Sequence, residues 1–286
     1  MEKKPTYTQT FGQLAPPKPK KGEGQGWFAS LLKGGQSWTA RADSPQEAPL
    51  LEMVTRLCPK MGIDIPPEVI IYHSPYPNAA STITGKVMVS DNLLQIMTPE
   101  QVEGVMGHEL AHHRHKSRDN FVMFGGTIAA DYAYQKTFAA KLWKAIGSIK
   151  NVYARTAAYI ATPVTEFLAV IGVINLYQQK AEYESDRESA EVTGKPKVMA
   201  EALNTLDKRM TEIHTEARKK SRGKMSDTGK VIADTIERLE PRWVRRIRHN
   251  PFEVFGSHPP IKLRVEALEA QEARMHSEEK APQRLS

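Results

Sequence analysis

Two histidines four residues apart, His108 and His112 in the run Met106-Gly107-His108-Glu109-Leu110-Ala111-His112, constrain this chain more than any other feature. On a helix, side chains at that spacing lie one turn apart on the same face, so both imidazoles can reach a single zinc ion. Glu109 falls between them and is not needed as a ligand. It is well placed to take a proton from a water held by the metal, the step a zinc peptidase needs at neutral pH. The pattern has meaning only on a helix, and its surroundings supply one. Thr98-Pro99-Glu100-Gln101 reads as a helix start, with Thr98 as N-cap, proline at the first helical position and Gln101 closing a capping box. Val102, Val105, Met106 and Leu110 then follow at helical spacing, which predicts an amphipathic helix.

A catalytic zinc takes three protein ligands and keeps one position open, so the histidine pair needs a partner. The metzincin pattern would place glycine and histidine seven and ten residues after His108. This chain has His115 and Arg118 there, which excludes that pattern. The next glutamates are Glu166, inside an apolar run, then Glu182 and Glu184. Glu182 and Asp186 share a helix face, so one carboxylate can bind metal while the other accepts a hydrogen bond from a ligand imidazole. A solvated acidic helix face has the same spacing, and the pattern alone does not choose between the two.

Around the motif the chain reads as α+β, mainly helical, with a small β-sheet beside the HExxH helix. Residues 1–43 carry Pro5, Pro16, Pro17 and Pro19 among lysines and glycines, and are expected to form a flexible tail. Within it, the apolar Trp27-Phe28, Leu31-Leu32 and Trp38 suggest either a short docking helix or a piece folded onto the domain. Ser44-Pro45-Gln46-Glu47 reads as a second capping box, opening a helix through Leu50, Leu51, Val54, Leu57 and Cys58 that ends near Gly62. Residues 68–73 and 86–90 are short, rich in β-branched residues and bounded by turn formers, hence strands. Helices are expected after Pro196, over 228–248, and from Ile261 to Ala273. The catalytic domain is expected to span 44–276, followed by a frayed C-terminus at 277–286.

HELAH, then EYESD about seventy residues on, then SHPPIKLR near the C-terminus, resembles the HtpX-like zinc metallopeptidases, whose relatives include the CaaX prenyl protease. The resemblance covers roughly 44–120, 178–206 and 251–267. It implies a gluzincin metallopeptidase domain holding one zinc on His108, His112 and Glu182, with Glu109 as general base and Asp186 supporting a ligand. It also implies that His258 and Arg264, matching the family's HPPxxxR, lie at the active site; in the expected mechanism His258 or Arg264 stabilises the oxyanion. The chain departs from many members of that family in lacking convincing transmembrane helices.

The most apolar stretch, residues 121–177, includes Phe167 to Ile174, yet Glu182 must return to the side that holds His108 and His112. Two crossings would translocate Lys136, Lys141, Lys144, Lys150 and Arg155, with no acid between Tyr132 and Thr165 to offset them. Zero crossings are therefore expected, the run being either a buried core helix or one that dips into a membrane surface. The formal charge of +7 does not demand nucleic acid, because residues 1–40 hold six lysines and two glutamates, +4 of it. The basic runs at 218–224 and 242–248 are the pattern of solvated faces, with no aromatic-interleaved recognition motif beside them. A lone Cys58 and an N-terminus without an apolar leader point to a cytoplasmic location, with contact at a membrane face as an option. The expected activity is a zinc endopeptidase acting on polypeptides, with protein quality control as its expected setting. Such a substrate could add as an extended strand to an open sheet edge before the HExxH helix. The competing reading is a non-catalytic, zinc-stabilised peptide-binding or chaperone-like scaffold at a membrane surface. Glu109 argues against it, since a scaffold has no chemical need for that carboxylate.

Overall fold

In the computed structural model, which describes residues 4–15, 37–82, 84–228 and 258–280, the chain is mainly helical around one small mixed sheet. Helix α1 (Tyr7–Phe11) precedes strand β1 (Ser37–Thr39), helix α2 (Ala48–Lys60) and strands β2 (Val69–Tyr72), β3 (Ala79–Ser81) and β4 (Val87–Ser90). Helices α3 (Asp91–Ile96) and α4 (Pro99–Asn120) come next. Helices α5 (Thr127–Tyr134) and α6 (Ala140–Gly147) are entered through π-helical turns at Phe121–Gly126 and Gln135–Ala139. Then follow α7 (Val152–Thr193), α8 (Pro196–Gly223) and α9 (Ile261–Lys280). The helix expected over 228–248 and the apolar residues 27–32 lie outside the described residues, apart from Thr228.

Strand order in the sheet is β1-β2-β4-β3, with β2 and β4 parallel and both outer pairs antiparallel. β4 is buried at every position, as a strand paired on both sides must be when both its faces are covered. The β3–β4 reversal uses Gly85 at φ +84, a conformation that glycine adopts without penalty. Val69, Ile71, Val87 and Val89 meet Leu50, Val54 and Leu57 of α2 and Val102, Met106 and Leu110 of α4 in one apolar core. Cys58 is buried in the same core.

Within the stretch expected to be a flexible tail, two parts are packed: Trp38 takes the second of the forms offered for it, a piece folded onto the domain, and the packing of Tyr7 corrects the expectation. Trp38 lies in β1, paired opposite Ile71 and buried, and Tyr7 of α1 is fully buried with its backbone N–H on the Met97 carbonyl at 2.6 Å. Both are large apolar side chains that meet a partner only in the tertiary fold, and there they outweigh the surrounding lysines and prolines. The capping box expected at Ser44 is also absent, and α2 begins at Ala48 without a side-chain cap. Glu47 is instead buried beneath Trp38 and Arg41, accepting from Trp38 Nε1 at 3.2 Å and from Arg41 Nη2 at 2.7 Å. The box at Thr98 forms: Gln101 N–H donates to Thr98 Oγ1 at 3.3 Å, and Thr98 N–H to Gln101 Oε1 at 3.1 Å.

The chain divides into two compact units, the second made of His115–Glu182 and Pro241–Pro259 and the first of the remainder. Within the second unit, Trp143 stacks on Tyr159 with ring centroids 5.7 Å apart, and Tyr177 donates to Asp119 at 2.9 Å. No described residue from Val152 to Lys180 is buried, and Tyr153 is 83% exposed. No helix among the described residues is long and apolar enough to cross a membrane.

Candidate metal centre

From Gln101 to Ala111 helix α4 is buried at every residue, on all sides rather than along one stripe. Two glycines make this enclosure possible. A Cβ on Gly107 would lie 2.7 Å from Ser189 Oγ of α7, and one on Gly104 would lie 3.3 Å from Met199 Sδ of α8. Only a glycine face lets α7 approach this closely, and Ser189 donates to the Gly104 carbonyl at 2.6 Å, tying the two backbones together. Beside them, buried Glu103 receives Arg56 at 2.7 Å and Lys195 at 3.0 Å, so the carboxylate in this enclosed turn is paired twice.

The α7 residues facing α4 are Glu182, Ser185, Asp186 and Ser189, at i, i+3, i+4 and i+7, and all four are buried. Asp186 Oδ1 lies 2.8 Å from His108 Nδ1, and Ser185 Oγ lies 3.3 Å from His112 Nδ1. With the Nδ1 atoms so engaged, the two Nε2 atoms approach each other to 3.1 Å. His108, His112 and Glu182 each bring one ligand atom into a group spanning no more than 4.8 Å. Two ligand nitrogens on a tetrahedral zinc, each about 2.0–2.1 Å from the ion, would stand roughly 3.3–3.4 Å apart, so this spacing suits such an ion with little movement. Two imidazoles and one carboxylate are a donor set for a metal of intermediate softness rather than for calcium or magnesium, which prefer oxygen alone.

The other expected residues fall as follows. Glu109 is buried between the two histidines on α4, and neither Glu166 nor Glu184 belongs to the group with the imidazoles. Asp186, expected to support one of the ligand imidazoles, is the residue beside His108, and Arg264 of α9 holds it there: Nε reaches Oδ2 and Nη2 reaches Oδ1, each at 2.6 Å. Burial pushes the Asp186 carboxyl up, but the guanidinium and His108 outweigh it and hold the group below the usual carboxylate range. Arg264 is therefore paired with a carboxylate and is 6% exposed. His258 Nδ1 lies 2.9 Å from Glu182 Oε1, with the ring largely exposed.

Sequence reading overlooked Ser185, Ser189, Gly104 and Gly107. The signal was present, since small residues at helical spacing opposite a motif helix mark close packing, but it can be weighed only once the two helices are known to be partners.

A family model described as peptidase family M48 matches residues 44–272 of the chain. Among curated proteins, a "Protease HtpX homolog" of Bacillus velezensis is 29% identical over 253 residues, covering 85% of this chain and 77% of the relative. One of Bacillus licheniformis is 30% identical over 233 residues, covering 76% and 77%. One of Sulfurovum is 26% identical over 244 residues, covering 80% and 77%.

Proposed function

The chain belongs to peptidase family M48, with HtpX-like relatives, and we propose that it is a zinc-dependent endopeptidase of the gluzincin type, cutting polypeptide substrates. The observation that carries this reading is the convergence of His108, His112 and Glu182 beside a buried Glu109. His108, His112 and Glu182 would hold the ion. When bound there, zinc would lower the pKa of a coordinated water and polarise the scissile carbonyl. Glu109 takes the proton from the attacking water and delivers it to the departing amine, its place on a rigid buried helix fixing its direction. Asp186, 2.8 Å from His108 Nδ1, would accept from an Nδ1–H and so keep Nε2 as the ligating atom, while Arg264 locks Asp186 in that position. His258, held by Glu182 at one ring nitrogen, offers the other to charge developing on the carbonyl oxygen. β3 stands at an edge of the sheet, and an extended substrate would pair along it.

The catalytic domain is read as residues 44–276, with β1 and α1 packed on its core. Its expected setting is the cytoplasmic side of a membrane, in quality control of unfolded proteins. Support for membrane contact comes from the second unit. Between residues 132 and 165 it carries five basic side chains and no acid, alongside exposed Tyr132, Phe138, Tyr153 and Ile160. The activity is tested by stripping metal with a chelator and assaying an unfolded protein such as reduced casein. Hydrolysis should disappear and return with one equivalent of zinc per chain; hydrolysis that persists in metal-free protein refutes the reading.

A further inference from the structure

We propose that Ser185 is the positioning residue for the second imidazole, holding His112 with Nε2 toward the metal as Asp186 holds His108. The inference rests on the reading of His108, His112 and Glu182 as ligands.

Ser185 and Asp186 are consecutive on α7, and each faces the Nδ1 of a different histidine, at 3.3 Å and 2.8 Å respectively. Consecutive helical side chains diverge by about 100°, so two neighbours can serve two imidazoles one turn apart only if the helices are very close. They are close here, because Gly107 leaves no Cβ against Ser189 and Ser189 is bonded to the Gly104 carbonyl at 2.6 Å. At this separation a side chain of one carbon and one oxygen spans the gap.

Ser185 is 2% exposed, which leaves its hydroxyl little access to water. Ligation through Nε2 requires the His112 tautomer with its proton on Nδ1, and in that tautomer Nδ1–H donates to Ser185 Oγ, 3.3 Å away, while Nε2 faces His108 Nε2 at 3.1 Å. The two supports differ in strength. His108 has a buried carboxylate clamped by arginine, whereas His112 has a neutral hydroxyl at the long end of hydrogen-bond distance. Loss of the hydroxyl should therefore fall near the lower end of the 10–100-fold range typical for such outer partners, about tenfold in metal affinity. If Ser185 merely filled space, alanine, which is nearly the same size and favours a helix, would change nothing.

The test uses the full chain and zinc alone, with affinity measured by chelator competition and the imidazole N–H protons followed by NMR in the zinc-loaded protein. Ser185→Ala should bind zinc about tenfold more weakly, with an unchanged melting temperature of the metal-free form. Its His112 Nδ1–H resonance should shift or exchange away while that of His108 stays. Ser185→Thr, which keeps the hydroxyl, should remain within about threefold of wild type. Ser185→Ala with wild-type affinity and an unmoved His112 resonance overturns the proposal, as does Ser185→Thr losing as much affinity as Ser185→Ala. Wild-type protein that binds no zinc at all removes the ligand reading beneath it, a failure distinct from either.

Discussion

Arg264 holds both oxygens of Asp186 across seventy-eight residues of sequence, with two hydrogen bonds of 2.6 Å in a buried, bidentate pair. Arg264→Ala leaves that carboxylate buried without its cation and should destabilise the protein by about 3–5 kcal/mol, read in denaturant. Arg264→Lys keeps the charge but loses the fork, and should lower zinc affinity with a smaller stability loss. His258→Ala should do the reverse, lowering turnover roughly a hundredfold while zinc content and stability are kept. If Arg264→Ala keeps full stability and loses only turnover, the guanidinium acts on substrate instead.

Glu182 and Glu184 can be separated by metal affinity. Two residues along a helix turn a side chain by about 200°, so only one of them can face the histidines. Glu182→Ala should weaken zinc binding sharply and Glu184→Ala should leave it near wild type, both by chelator competition. The opposite ranking would place the third ligand on the wrong glutamate.

The parts of this site that were legible in the sequence are those set by helix geometry within a few residues. His108 with His112 and the Thr98–Gln101 cap are each fixed by spacing and backbone chemistry, whereas spacing put Glu182 and Asp186 on one helix face and the family resemblance chose them. Arg264 could be placed near the site only through the family resemblance, and its partner was not foreseeable, because the pair is made by packing of α9 rather than by spacing. β1 was hidden for a related reason: Ser37–Thr39 becomes a strand only by pairing with β2, and the composition around it speaks for a tail. The full burial of α4 was obscured by its own polar residues, Gln101, Glu103, His108 and Glu109, which read as a solvent face.

Glu47 provides a test of the fold away from the site. Burial pushes its carboxyl up, but Arg41 and Trp38 more than offset this, and the group sits below the usual carboxylate range. A lowered folded value means a stabilising contribution that is present above the unfolded pKa, about 4.3, and is lost as pH falls through the folded value. Glu47→Ala should therefore cost roughly 2–4 kcal/mol at pH 7, whereas Ser44→Ala, which removes no cap, should change stability little. The gap between wild type and Glu47→Gln should narrow as pH falls below about 4. A large loss in Ser44→Ala would restore the capping role to that serine.

The basic, aromatic second unit leads to a membrane prediction. Binding to vesicles containing anionic lipid should be measurable, weaken with salt, and be absent on neutral vesicles. Changing Lys141, Lys144 and Lys150 together to glutamate should abolish it without altering peptide hydrolysis in solution. From cells the protein should be extracted by salt or alkaline carbonate. Extraction by detergent alone, with residues 136–155 labelled from the far side, would contradict this topology.

The most direct measurement compares wild type with Glu109→Gln on an unfolded protein substrate, with zinc content determined in both. Glu109 lies between the ligands without being one of them, so the amide should leave one zinc per chain in place and abolish proteolysis. Proteolysis at the wild-type rate in zinc-loaded Glu109→Gln would contradict the assignment of Glu109 as the base, and with it the proposed mechanism.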